Sequence, residues 1–274
     1  MDTYNTCPKS FFLQYIECKE RSESSFGQYG SFCHSVFEKY AKGELEAYEL
    51  LDEYAEKFDE MVTEPFPPNK HVDLREKYYN QGHDCFSDFG GFDDYEILAV
   101  EKRVSFLLWN TFPFTGVIDL VVRDKDGNLI IIDHKSKAIF KRKCLCEKCG
   151  KSYSMEFAEK KNFQCTKKCG GSLVEDKKEA KEYLRQLYIY SIPVLEEYGE
   201  YPKKLVFNFF REGGFWETDF ELESLHEAEN WVLQTIDLIR SDDSFAPKKS
   251  DFFCDFICGV RQHCTDSNSY LGIG

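Results

Sequence analysis

The feature that most narrows what this 274-residue chain can fold into is a pair of Val- and Ile-rich runs, Thr115-Gly-Val-Ile-Asp119-Leu-Val-Val and Asn128-Leu-Ile-Ile-Ile-Asp133-His-Lys135, joined through Asp126-Gly127-Asn128. β-Branched residues favour a pleated sheet and an Asp-Gly pair favours a tight turn, so the two runs predict adjacent strands of a β-hairpin. Asp119 and Asp133, with thirteen residues between them, then stand together at one end of it. An acid at the end of an apolar strand is costly to bury unpaired, and a divalent cation is its natural partner. Lys135, two residues past Asp133, shares its face of the strand. Two carboxylates and an ammonium on adjacent strands form a minimal set for metal-dependent phosphodiester cleavage. Mg2+ or Mn2+ on Asp119 and Asp133 would neutralise a phosphate and lower the pKa of a water, while Lys135 would orient that water and stabilise transition-state charge.

The rest of the chain predicts helix over roughly 6–62, where Phe11, Phe12, Tyr15 and Ile16 share a face after Pro8, followed by Phe32, Val36, Phe37 and Tyr40. A further helix is expected over 73–86, then strands over 95–109, 114–123 and 128–137 as an antiparallel meander. Helix resumes over 175–197 on the stripe Leu184, Leu187, Tyr188 and Ser191, with Pro193 near its end. A strand over 205–211 and a helix over 221–239 follow, and the segment 252–264 is neither clean helix nor strand. The expected fold class is α/β, a mixed sheet flanked by helices. The expected organisation is one core of 1–139 and 174–274, interrupted by a cysteine- and lysine-rich insert at 140–173.

A net charge of -14 argues against nonspecific coating of nucleic acid. Charge is unevenly spread, however: residues 141–168 carry nine Lys or Arg against three Glu, and any nucleic-acid path would follow that basic side. The acidic group Glu44, Glu46, Glu49, Asp52, Glu53 and Glu56 reads as a solvated helix face. The N-terminus lacks a basic region followed by an apolar core, and no apolar run approaches the ~18 residues that span a bilayer. A soluble cytoplasmic protein in a reducing compartment is expected, its cysteines serving as metal ligands rather than disulfides.

Eight of the twelve cysteines fall into two sets. Cys146-x-x-Cys149 and Cys165-x-x-x-Cys169, each followed by glycine, are similar to the knuckles of a zinc ribbon, and four thiolates match tetrahedral Zn2+. The second knuckle is one residue longer than usual, and Cys144 competes with Cys146 as a ligand. With few apolar residues of its own, the insert needs a structural metal to fold. Its basic character is suited to the DNA backbone. Cys18, Cys33 and Cys85 read as free buried thiols.

Taken together, Gly30-x-x-x-His34, Glu101, Asp119, Asp133-His134-Lys135 and Gln186-x-x-x-Tyr190 resemble the RecB-like branch of the PD-(D/E)XK nuclease superfamily, in order and approximate spacing over most of the chain. The resemblance implies a restriction-endonuclease-like core. It implies that His34 completes the metal shell of Asp119 and Asp133, that Glu101 lies near the active site, and that Gln186 and Tyr190 help hold the nucleic acid. His34 is a softer ligand than oxygen and tilts the site toward Mn2+. Glu38, one turn beyond His34, is placed to support it.

Cys7, with Cys254, Cys258 and Cys264, looks like the iron-sulfur staple of AddB-type helicase-nucleases and CRISPR-associated adaptation nucleases, which implies a 4Fe-4S cluster joining the chain ends. Three residues rather than two separate Cys254 from Cys258, so zinc stays as the alternative. By resemblance the substrate is DNA with a single-stranded end; a cluster joining the termini implies a closed path that threads it, and the compact size fits a small accessory or phage enzyme of recombination or repair. The rival readings are a CRISPR adaptation nuclease that trims spacers beside an integrase, and a catalytically idle DNA-binding scaffold.

Overall fold

The computed structural model of this protein describes residues 1–139, 143–166, 169–176 and 178–267, so the expected insert is described apart from 140–142 and 167–168. Short helices α1 (Asp2–Thr6) and α2 (Pro8–Phe11) run through a π-helical turn at Phe12–Ile16 toward α3 (Ser25–Ala41). The Ser24 hydroxyl caps α3 by accepting the Gly27 N–H, and Asp73 caps α5 (Leu74–Asp88) in the same way through Glu76. Between them lies α4 (Leu50–Met61). These three helices enclose a cluster of buried rings, among them Tyr29, Phe32, Phe37, Tyr54, Phe58 and Phe86.

Strands β1 (Glu96–Leu108), β2 (Phe112–Arg123) and β3 (Leu129–His134) form the expected antiparallel meander. The insert follows as β4 (Lys143–Cys146), β5 (Ser152–Ser154), α6 (Met155–Lys160) and β6 (Leu173–Glu175), a small antiparallel sheet of order β5-β4-β6. The chain then returns through α7 (Lys178–Tyr198) to β7 (Lys204–Phe209), β8 (Gly214–Asp219) and α8 (Leu222–Ser241). The main sheet has the order β1-β2-β3-β7-β8, with β3 and β7 parallel.

All six residues of β3 are buried, which is why its sequence is a continuous apolar run rather than an alternating one. On one face Val121, Ile131, Leu205 and Phe207 pack against Leu187, Val194 and Val232 of α7 and α8. On the other, Leu120, Val122, Ile130, Ile132 and Val206 pack beneath Phe92 and the helical aromatics. Each such aliphatic side chain contributes about 1.5–3 kcal/mol by leaving water, so the sheet centre is the rigid part of the molecule.

Several local expectations are corrected. Strand β3 ends at His134, so Lys135 lies just beyond it, although its N–H still donates to the Asn208 carbonyl at 2.8 Å. Helix α7 ends at Tyr198 with Pro193 near its end, as expected. The acidic face is not wholly solvated, because Glu53 is largely buried and accepts from both Lys39 and Lys57. Cys18 is exposed; Cys33 and Cys85 are buried as expected. As expected of a segment that is neither clean helix nor strand, the chain near the C-terminus folds as a π-helical turn at Phe253–Ile257 and a 3-10 turn at Arg261–His263. Among the described residues, no helix is long and apolar enough to cross a membrane.

Candidate active site

The site lies at a fork. β2 pairs with β3 only from Leu120 to Arg123, while β1 and β2 continue together as a two-stranded ribbon. Asp119 is the first residue of β2 past the fork, opposite Asp133 in the continued register. Its Oδ2 accepts the backbone N–H of His134 at 2.7 Å, so a side chain takes over where the backbone ladder stops. The in-out alternation also slips here, since Gly116, Ile118 and Val121 all face α7. Across the ladder from Asp119, Glu101 adopts a positive φ of 45°, a conformation costly for a non-glycine residue in a strand. That strain turns a carboxylate toward Asp119.

His34 approaches from α3. Gly30, one turn earlier, lets the loop after β3 come close, because a Cβ there would meet the Ser136 hydroxyl at 3.1 Å. The His34 Nδ1 lies 3.5 Å from Oδ2 of Asp119. One ligand atom from each of His34, Glu101 and Asp119 lies within 4.8 Å of the others, and His34 and Glu101 border a cavity of about 480 Å3 that Glu38 and Ser136 also line. Glu38 itself pairs with Lys42. Burial pushes the pKa of His34 down, leaving the ring neutral and its nitrogen lone pair available. Burial, then the charge of Asp133, pushes the Asp119 carboxyl up to about 7. Burial and the charge of Asp119 raise Glu101 as well. Desolvated carboxylates beside a neutral imidazole are an arrangement that a hard divalent cation would relieve, so the donor set fits one.

Asp133 is buried and faces Lys135. The ammonium lies 2.5 Å from Oδ2 outside hydrogen-bond geometry, so the contact is an ion pair. The same ammonium donates to Oε1 of Gln186 at 3.4 Å, and the Gln186 amide donates to the Tyr190 hydroxyl at 3.0 Å. Tyr190 is buried against Gly116, where a Cβ would come within 2.6 Å of its ring. The structure thus brings His34, Glu101 and Asp119 together as one group and joins Asp133, Lys135, Gln186 and Tyr190 as a second beside it. Glu101 joins His34 and Asp119 in the first group, and the charge of Asp133 acts on both His34 and Asp119.

The sequence assigns no role to two residues of this assembly, His134 of the Asp133-His134-Lys135 motif and Asn208. The buried His134 ring stacks on Phe37, centroids 4.5 Å apart, and its Nδ1 is 3.0 Å from Nδ2 of Asn208. Asn208, through its backbone and side chain, therefore fixes both His134 and Lys135. An Asn inside the apolar run Val-Phe-Asn-Phe-Phe was the available signal.

In the insert, Cys146, Cys149, Cys165 and Cys169 converge, with sulfur separations of 3.6 Å for Cys146 and Cys169 and 3.8 Å for Cys149 and Cys165. Zn–S bonds of about 2.3 Å in a tetrahedron require edges near 3.8 Å, so the spacing fits a single ion. Cys144 instead joins the insert's small core and points at the Met155 sulfur. A Cβ at Gly171 would lie 2.5 Å from the Cys146 sulfur, which explains that glycine. Cys7, Cys254, Cys258 and Cys264 line one small cavity between the chain ends, where the Ser10 hydroxyl is 3.6 Å from the Cys258 sulfur. The Tyr4 hydroxyl donates to Asp242 across the same junction.

A family model for the PD-(D/E)XK nuclease superfamily matches residues 1–143. No curated protein matches the chain.

Proposed function

This chain belongs to the PD-(D/E)XK nuclease superfamily, and from that premise we propose that it is a divalent-metal-dependent deoxyribonuclease of the RecB-like branch, an exonuclease acting on single-stranded ends. The observation that carries the reading is the approach of His34, Glu101 and Asp119 within 4.8 Å beside the Asp133–Lys135 ion pair. When bound, Mg2+ or Mn2+ supplies Lewis-acid charge to the scissile phosphate and lowers the pKa of an attacking water. His34, Asp119 and Asp133 would hold it together with Glu101, the charge of Asp133 acting on both His34 and Asp119. Lys135, fixed by Asp133 and Gln186, orients the water and offsets charge on the phosphorus oxygens as the bond breaks. Gln186 and Tyr190 hold Lys135 and border the strand.

The Cys146, Cys149, Cys165 and Cys169 thiolates would hold one Zn2+, and the sulfur separations support this. Cys7, Cys254, Cys258 and Cys264 would hold an iron-sulfur cluster of the 4Fe-4S type, supported by their shared cavity. Such a staple would close a path around a threaded strand and favour end-dependent cutting in recombination or repair. Purified protein with Mn2+ should degrade linear single-stranded DNA and spare circles, and Lys135→Ala should abolish cutting while leaving the circular dichroism spectrum unchanged. Cutting that survives Lys135→Ala would remove the assignment.

A further inference from the structure

Next to Lys135 and Gln186 the molecule has a second cleft, about 700 Å3 in volume, between α1 and α7, with the Trp231 ring of α8 on its wall. Three cations line it, Lys135, Lys137 and Arg185, against two carboxylates, Asp2 and Glu182, in a chain of net charge -14. A local excess of positive charge in an acidic protein marks a path for an anion. The two outer cations each lie over an aromatic face. The Lys137 ammonium is 3.7 Å from the ring centroid of Tyr183, and the Arg185 guanidinium carbon is 4.7 Å from that of Trp231. Beyond Trp231 the balance changes: the adjoining cavity carries five carboxylates, Glu175, Asp176, Glu179, Glu221 and Glu227, against Lys143, Lys181 and Arg185. Anionic backbone is thereby favoured on the Lys137 side, with Trp231 at the boundary.

We propose that this cleft is a subsite for single-stranded nucleic acid on one side of the scissile phosphate. Lys137 and Arg185 hold the neighbouring phosphates, and Tyr183 and Trp231 stack on unpaired bases. The proposal rests on the nuclease reading above, since the phosphate it continues from is the one at Lys135. Cations seated on half-buried rings suit a single strand, whose bases are free to add to such a stack; in a duplex the base faces are already occupied.

The test is fluorescence anisotropy of a labelled oligothymidylate, and of a duplex of the same length, with no Mg2+ or Mn2+ added so that nothing is cut. Trp231→Leu and Tyr183→Leu should weaken binding of the single strand by roughly five- to a hundredfold and leave the duplex unaffected. Lys137→Gln, at an exposed position that folding does not depend on, should reduce the slope of log affinity against log salt by about 0.7. Unchanged affinity and slope in Lys137→Gln and Tyr183→Leu would overturn the subsite, as would equal losses for strand and duplex. Should those variants bind like a wild type that still cuts DNA in Mn2+, the subsite alone falls. A wild type that neither binds nor cuts would overturn both readings.

Discussion

Oδ2 of Asp119 accepts the backbone N–H of His134 at 2.7 Å and, from the other side, faces Nδ1 of His34 at 3.5 Å. One oxygen thus connects the end of β3 to α3 across the fork. Because that carboxylate is buried beside Asp133, its pKa rises from 3.8 to about 7 in the folded protein. A carboxyl with a raised folded pKa binds its proton more tightly when folded, so its contribution favours folding at low pH and is lost as pH rises through about 7. In metal-free protein the melting temperature should therefore fall between about pH 4 and 7, and Asp119→Asn should flatten that slope. Cation binding competes with the same proton, so calorimetry should find Mn2+ affinity rising to about pH 7 and level above it. A melting temperature independent of pH in the wild type would contradict the buried setting of Asp119.

The φ of 45° at Glu101 gives a second prediction. A side chain there is strained and glycine is not, so Glu101→Gly should be more stable than Glu101→Ala by about 1 kcal/mol. Both variants lose the carboxylate, and both should lose Mn2+ affinity and cleavage to a similar extent. Urea denaturation with parallel cation titration checks this. Equal stability of the two variants would mean that the strand is relaxed at this position.

Asn208 offers a third. Its amide meets His134 Nδ1 at 3.0 Å, in a site that is fully enclosed, and its carbonyl takes the Lys135 N–H. Asn208→Leu removes the amide and leaves the His134 nitrogen without its partner, at a cost of about 1–3 kcal/mol. Cleavage should fall as Lys135 loses its support, whereas Asn208→Asp should retain more stability at a pH where it can accept from His134. Denaturation curves and single-turnover rates for both variants separate the two effects.

The hairpin and its acids were legible because β-branched runs and an Asp-Gly turn are local signals, and β3 is buried on both faces. The helical character of 6–62 and 73–86 was legible from Pro8 and from repeated aromatics, although the breaks between α2, α3 and α4 were not. What was hidden depends on contacts between distant segments. β8 escaped notice because Gly-Phe-Trp-Glu-Thr-Asp alternates half-buried and exposed residues at a sheet edge, where apolar content is low. The parallel pairing of β3 with β7 spans the whole insert and α7. The turn of Glu101 toward Asp119 rests on one backbone angle, which no residue type announces. Thus Asp133 stood out from its spacing and Glu101 by resemblance, while the close approach of Glu101 to His34 became visible only in the fold.

The insert gives a fourth prediction. Its core is only a few residues, among them Cys144, Tyr153, Ala158 and Leu173, far too small to order a three-stranded sheet without a metal. Cys165→Ser, or a strong zinc chelator, should open it to proteolysis between β4 and β6. The main sheet has its own core, so the principal unfolding transition should move by less than the loss of the insert signal would suggest. Cobalt substitution would report the tetrahedral thiolate field directly, and a protease-resistant insert after chelation would argue that the cysteines hold nothing.

Gly116 and Tyr190 supply the last prediction. A methyl group at residue 116 would lie 2.6 Å from the Tyr190 ring, closer than side chains pack. The ring cannot move without carrying its hydroxyl away from Gln186, and Gln186 is what meets the Lys135 ammonium on its other side. Gly116→Ala should therefore cost about 1–3 kcal/mol of stability through overpacking, and should also reduce cleavage, although position 116 touches neither a metal ligand nor Lys135. Tyr190→Phe, which removes the hydroxyl but keeps the ring, should lower cleavage while leaving the packing intact. Combining Gly116→Ala with Tyr190→Leu should recover stability, because the smaller side chain makes room, yet activity should stay low because nothing then positions Gln186. Such non-additive stability is the signature of direct contact between two residues. A Gly116→Ala protein that melts and cuts like the wild type would mean that Tyr190 does not lie over residue 116, and the route from α7 to Lys135 would have to be redrawn.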